Sequence, residues 1–126
     1  MNGKAPLAMA PMSGKNKDFP KRGGIYWVNF DPTVGSETKK TRPALIVSND
    51  IGNENSPIVI VAPITSKIKN IYPFEVEVTV SGKPGKILLN QCRAIDKSRL
   101  TQKIDSIDLE TMKAVEDALK IVFSLN

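Results

Sequence analysis

The chain has 126 residues, 40% hydrophobic and 25% charged, the composition of one ordinary globular domain. Its formal net charge is +5, and its longest strongly apolar run, Ile58 to Ile64, is seven residues, far short of the roughly 20 a membrane-spanning helix needs. It has one cysteine, Cys92, and no histidine, which excludes an internal disulfide, Ser–His and Cys–His nucleophile pairs, and two-histidine acid–base cleavage of RNA.

Residues 1–20 read as a disordered leader or an expression remnant. Pro6, Pro11 and Pro20 interrupt them, and no helical or alternating period emerges. A single domain is expected over residues 21–126. Ile25 to Phe30 is β-rich and bounded by Gly-Gly and Asp-Pro, so a first strand is expected there. Asp31 to Thr41 reads as a long loop, a common place for function. Pro43 to Asn49 forms a second expected strand, with its proline at the permitted first position. Asp50 to Ser56 reads as a polar turn. Pro57 to Thr65 is apolar on both faces, as in a central strand.

Phe74 to Val80 alternates strictly, which predicts one buried and one wet face. Ser81 to Lys86 reads as a hairpin connection, Ile87 to Ile95 as one further strand, and Leu100 to Ile104 as a short last strand. Then the period changes. Leu109, Met112, Val115, Leu119, Val122 and Phe123 recur at helical spacing, with Asp108 as N-cap. This predicts a helix over 109–124 whose apolar face is core. Strands followed by one helix predict a small antiparallel barrel with the helix packed on it.

Charge is segregated. The first 22 residues hold Lys4, Lys15, Lys17, Lys21 and Arg22 against Asp18, so only +1 remains for the rest. Within that remainder, residues 39–103 are net +6 and residues 104–126 net −3. One basic region fits an anionic ligand, and it fits a solvated surface nearly as well.

Several segments, in order, carry a resemblance. They are Lys21-Arg22-Gly23, Asp31-Pro32-Thr33-Val34-Gly35-Ser36-Glu37, Thr41-Arg42-Pro43-Ala44-Leu45-Ile46-Val47-Ser48-Asn49-Asp50, Ala62-Pro63-Ile64-Thr65-Ser66 and Leu89-Asn90-Gln91-Cys92-Arg93-Ala94-Ile95-Asp96. Together they resemble the MazF/PemK/Kid family of toxin ribonucleases. The resemblance implies an SH3-like β-barrel of the CcdB/PemK type and a cytoplasmic homodimer. It implies sequence-specific cleavage of single-stranded mRNA without metal, cofactor or ribosome. It also implies a MazE-like antitoxin that lays an acidic tail along the RNA groove. Carried over residue by residue, it makes Arg42 and Thr65 the catalytic pair. Ser36, Asn49 and Gln91 become substrate contacts, and Gly35 to Thr41 the loop that closes over RNA. The chain departs from the family's usual pattern at Gly24, where relatives often carry an acid, and at Lys39-Lys40-Thr41, where their loop is often glycine-rich.

The chemistry suits the pair. When a 2′-OH attacks the adjacent phosphate, charge builds on the phosphorane, and a guanidinium fork offers two parallel charge-assisted bonds to it. A threonine hydroxyl adds one donor. Thr38, Lys39, Lys40, Ser66 and Lys67 are expected phosphate contacts. Phe30, Tyr72 and Phe74 are candidates for stacking bases, whereas Trp27 and Phe123 are expected in the core or a dimer interface. Cys92 is expected to be a small buried apolar residue. Two other readings remain at this stage, a CcdB-like gyrase poison and a non-catalytic SH3-like RNA-binding module.

Overall fold

Residues 18–30 and 41–126 are described here, from a computed structural model; the leader expected over residues 1–17 and the loop expected over residues 31–40 lie outside them. The chain is mainly β, a curled antiparallel sheet carrying a C-terminal helix. The strands are β1 (Gly24–Asn29), β2 (Thr41–Ile46), β3 (Ile58–Thr65), β4 (Glu75–Val80), β5 (Lys83–Leu88), β6 (Arg93–Asp96) and β7 (Leu100–Ser106). The helices are α1 (Asp50–Asn55) and α2 (Leu109–Phe123). The order across the sheet is β4-β5-β3-β2-β1-β7, and β6 also pairs with β3.

β3 is central, as its two apolar faces imply. Its first half pairs with β6 and its last two residues with β5. The expected single strand over Ile87 to Ile95 is therefore two strands. A 3-10 turn at Leu89–Gln91 redirects the chain so that β5 and β6 both reach β3.

The hairpin connection is shorter than expected. Ser81 and Gly82 alone make the turn, with φ of 49° and 82°, and Lys83 already pairs with Val80. Two positive φ values give the mirror-image turn whose twist matches paired strands. The sheet's edges, β4 and β7, meet through this turn: Ser81 N–H donates to Asp105 Oδ2 at 2.8 Å.

Asp50 to Ser56, expected as a polar turn, contains α1. Capping replaces hydrophobic periodicity there. Asn49 Oδ1 accepts from Gly52 N–H at 2.8 Å. Asn53 is wholly buried, its amide donating to the Ser48 carbonyl at 2.9 Å and to Asp50 Oδ1 at 3.2 Å, and Ser48 Oγ donates to its Oδ1.

Strand alternation splits the core into two clusters on opposite faces of the sheet. One contains Ile25, Leu45, Ala62, Ile64, Ile87 and Leu89, packed under Val115 and Ala118 of α2. The other contains Val28, Ala44, Ile46, Val59, Val61 and Ile95. α2 begins where expected, with Asp108 accepting from Thr111 N–H at 2.8 Å. Its buried face is narrower than expected: Met112, Val115, Leu119 and Val122 pack inward, but Leu109 is 89% and Phe123 56% exposed. Both fall on the terminal turns of the helix. Cys92 is half-buried and packs against the first cluster, so burial pushes its thiol up.

Candidate active site

The ladders align the two central residues. β2 and β3 pair Ala44 with Pro63 and Leu45 with Ala62, and continuing that register puts Arg42 opposite Thr65. The neighbouring ladders pair Val28 with Arg42 and Thr65 with Lys86. Arg42, Thr65 and Lys86 thus form one row across β2, β3 and β5. Directly opposite residues have Cβ atoms about 4.5–5.5 Å apart, close enough for Arg42 and Thr65 to engage one phosphate; Lys86 is buried against Glu75.

The adjacent row is apolar: Trp27 pairs with Pro43, Pro43 falls opposite Ile64, and Ile64 pairs with Ile87. A cavity of about 510 Å³ opens along these rows at the rim of the sheet. Trp27, Pro43 and Ile64 line it from the strands, with Val80, Pro84 and Ile104 completing the apolar wall. Arg42, Lys67 and Lys83 give it three cations, and no carboxylate is among its described lining residues. Thr65 and Ser66 supply hydroxyls.

Thr65 is half-buried, and its Oγ1 accepts the Lys67 N–H at 3.2 Å. With a lone pair so engaged, its own O–H remains to donate elsewhere. Arg42 is exposed, and no carboxylate of the described residues pairs with it. Its guanidinium is therefore available to an anion.

Of the residues expected from sequence, the cavity gathers Arg42, Thr65, Ser66 and Lys67. Three others lie apart. Asn49 sits beyond the far end of β2 from Arg42, where its side chain caps α1. Gln91 is exposed in the 3-10 turn. Phe30 is half-buried against the second cluster, with the Arg93 guanidinium 5.5 Å from its ring centroid. Ser36, Thr38, Lys39 and Lys40 are outside the described residues. Tyr72 is 52% exposed and stacks on Phe74 at 5.6 Å and 7°.

Of the two places expected for Trp27, the core is excluded: it is 37% exposed and lines the cavity, beside Pro43 at the rim. Alternation from Ile25 gives its face but not where the covering core ends. Lys83 and Lys86 were missed as well. Lys86 carries a readable signal: a cation immediately before the apolar stretch Ile87 to Leu89, one hairpin away from Glu75 and Glu77. The two-residue turn sets Glu77 opposite Lys86 and Glu75 on the diagonal.

Among the described residues, no group of three or more Cys, Asp or Glu is arranged to hold a metal ion. No helix of the described residues is long and apolar enough to cross a membrane.

Comparisons with known proteins point to one family. A family model for PemK-like, MazF-like toxins of type II toxin–antitoxin systems matches residues 21–123. Endoribonuclease EndoA of Bacillus subtilis (strain 168) is 44% identical over 110 residues, 83% of this chain and 95% of that protein. MazF of Deinococcus radiodurans is 30% identical with a TM-score of 0.71, over 85% of this chain and 98% of that one. A MazE–MazF structure from the same organism matches at 29% identity and a TM-score of 0.71, over 86% of this chain and 99% of that one. The chain with the Arg42–Thr65 row is therefore a member of the PemK-like, MazF-like toxin family of type II toxin–antitoxin systems.

Proposed function

We propose that this chain is a toxin endoribonuclease that cleaves single-stranded mRNA at short sequence motifs and so stops translation. The observation that carries the reading is the Arg42–Thr65 alignment at the rim of a cavity lined by cations and apolar side chains. The 44% identity to an endoribonuclease supports it. The alternatives, a gyrase poison and a non-catalytic RNA-binding module, are not favoured by these matches.

In this reading the 2′-OH of the nucleotide before the cut attacks its own phosphate. The P–O bond to the following 5′-oxygen breaks, leaving a 2′,3′-cyclic phosphate and a 5′-OH. Arg42 holds two non-bridging oxygens with its fork, and the Thr65 hydroxyl donates to the same group. Both interactions strengthen as charge develops, which is what lowers the barrier. Lys67 and Lys83 hold the flanking backbone, and Trp27 offers a flat apolar wall to a base. No step needs a metal or cofactor. Ser36, Thr38, Lys39 and Lys40 add RNA contacts by family resemblance, as do Asn49, Gln91 and Phe30.

A MazE-like antitoxin with an acidic tail suits the same groove, since three cations line it without a described carboxylate. MazF of Deinococcus radiodurans is known in a MazE–MazF structure. The chain acts in the cytoplasm as a homodimer, and exposed Ile51, Ile58 and Ile60 supply apolar surface for such contact.

Purified protein incubated with a long mixed-sequence RNA in excess EDTA tests the reading. New 5′ ends at defined motifs are expected, absent with Arg42→Ala and Thr65→Ala. No cleavage by the native chain at any protein concentration would overturn it.

A further inference from the structure

Residues 66–74 link β3 to β4 without helix or strand, and Ser66 to Pro73 are all exposed. The linker nonetheless carries Lys67 into the cavity. Two side chains from the β4–β5 hairpin fasten it. Lys86 Nζ and Glu75 Oε1 form an ion pair at 2.7 Å, with side chains only 9% and 7% exposed. Lys86 Nζ also donates to the Asn70 carbonyl at 3.3 Å, where the backbone is left-handed at φ 61°. Glu75 Oε1 accepts the Tyr72 N–H at 3.0 Å, and the Glu75 N–H donates to the Tyr72 carbonyl at 2.8 Å. Lys86 Nζ lies 5.8 Å from the Tyr72 ring centroid. Burial pushes the Glu75 carboxyl up, but the bonds from Lys86 and Tyr72 and the Lys86 charge outweigh this and hold it below its usual range.

A buried ion pair contributes little net stability, because desolvation offsets the attraction. Its placement is more informative. Lys86 faces Thr65 in the β3–β5 ladder, and the pair grips the linker that starts at Thr65. We propose that Lys86 and Glu75 are positioning residues for RNA cleavage: they fix residues 66–74 and thereby hold the Thr65 hydroxyl and Lys67 in line with Arg42. The proposal rests on the ribonuclease reading above. Neither side chain touches the substrate.

The double variant Glu75→Leu with Lys86→Met is the test. Replacing both partners by apolar groups leaves no unpaired buried charge and tends to preserve stability. Steady-state cleavage of a fluorogenic RNA is measured beside circular dichroism and amide exchange by mass spectrometry. The expected result is a native spectrum, faster exchange confined to residues 66–74, and a kcat lower by roughly tenfold to a hundredfold, with KM changed far less. A double variant that cleaves with native kcat overturns the proposal.

If the double variant does not fold, Glu75→Ala decides in the same way, since it removes the acceptor that both Lys86 and Tyr72 use. A lowered kcat with faster exchange in the linker supports positioning, and native kcat overturns it. The native chain runs in every assay. If it fails to cut, the ribonuclease reading falls and this proposal with it. If it cuts and the variants match it, only the positioning role falls.

Discussion

Thr65→Val is the most informative single change, because it removes one hydroxyl and almost no volume. In the folded chain, Thr65 Oγ1 accepts the Lys67 N–H at 3.2 Å, which leaves its O–H to donate to a bound phosphate. Valine deletes that donor. The stranded Lys67 N–H lies in an exposed segment, so water replaces the lost partner. Stability should change by no more than about 0.5 kcal/mol. Loss of one preorganised donor to a developing oxyanion costs about a hundredfold to a thousandfold in kcat, or roughly 2.7–4 kcal/mol. KM should hold, because the interaction strengthens in the transition state. Thr65→Ser restores the hydroxyl and should recover most of the rate. Combined with Arg42→Ala, Thr65→Val should cost less than the sum of the single losses, since both groups serve one phosphate. The assay is cleavage of a short fluorogenic RNA in EDTA, with thermal melts as the folding control. Native kcat in Thr65→Val would refute a role for this hydroxyl.

Three further outcomes are expected. Lys83→Ala should weaken RNA binding at all sequences and flatten the slope of log K against log salt by about 0.7, the share of one phosphate contact on a single strand; a fluorescence titration over several salt concentrations reads this. Leu45 is fully buried in the first core cluster, so Leu45→Ala should lower unfolding free energy by about 2–5 kcal/mol in urea melts without moving KM. Hydrogen bonds from Ser81 N–H, then Ser106 N–H, hold the Asp105 carboxyl below its ordinary value of 3.8. A lowered folded-state value means the contribution is complete above the unfolded value and is lost as pH falls through the folded one. The urea midpoint of the native chain should therefore drop on acidification below about pH 4, and Asp105→Asn should flatten part of that drop.

Much of the architecture is legible in the sequence. Alternation from Phe74 to Val80 and the helical spacing from Leu109 survive, because burial on one face or a stripe leaves its own period; the doubly apolar run of β3 is buried on both faces only from Val61 to Ile64, with Ile58 and Ile60 exposed. Three features are not legible. α1 is held by Asn49, Ser48 and Asn53, a polar cap network with no hydrophobic period to reveal it. The break at Leu89–Gln91 lies inside an apolar run and depends on β3 having room for both β5 and β6. Trp27 reads as a core or dimer-interface residue, and nothing local marks its place at the cavity rim.

The candidate site is legible in part. The Arg-Pro and Ile-Thr steps point to Arg42 and Thr65; both line the cavity, and the β2–β3 register, continued two residues past Ala44 and Pro63, sets them opposite one another. The second bank of the groove, Ser81 and Lys83, comes from a hairpin with no local mark of function, brought there by closure of the sheet through Asp105. The Lys86–Glu75 pair is visible only once the hairpin register is known.

The most direct test of the central claim is single-turnover cleavage of one RNA in excess EDTA by the native chain and by Arg42→Ala, both verified as folded. The prediction is rapid cutting at defined sites by the native chain, with a 5′-OH on the downstream product, and a rate lower by at least about a hundredfold in the variant. Cutting by Arg42→Ala at the native rate, or none by the native chain, would contradict it.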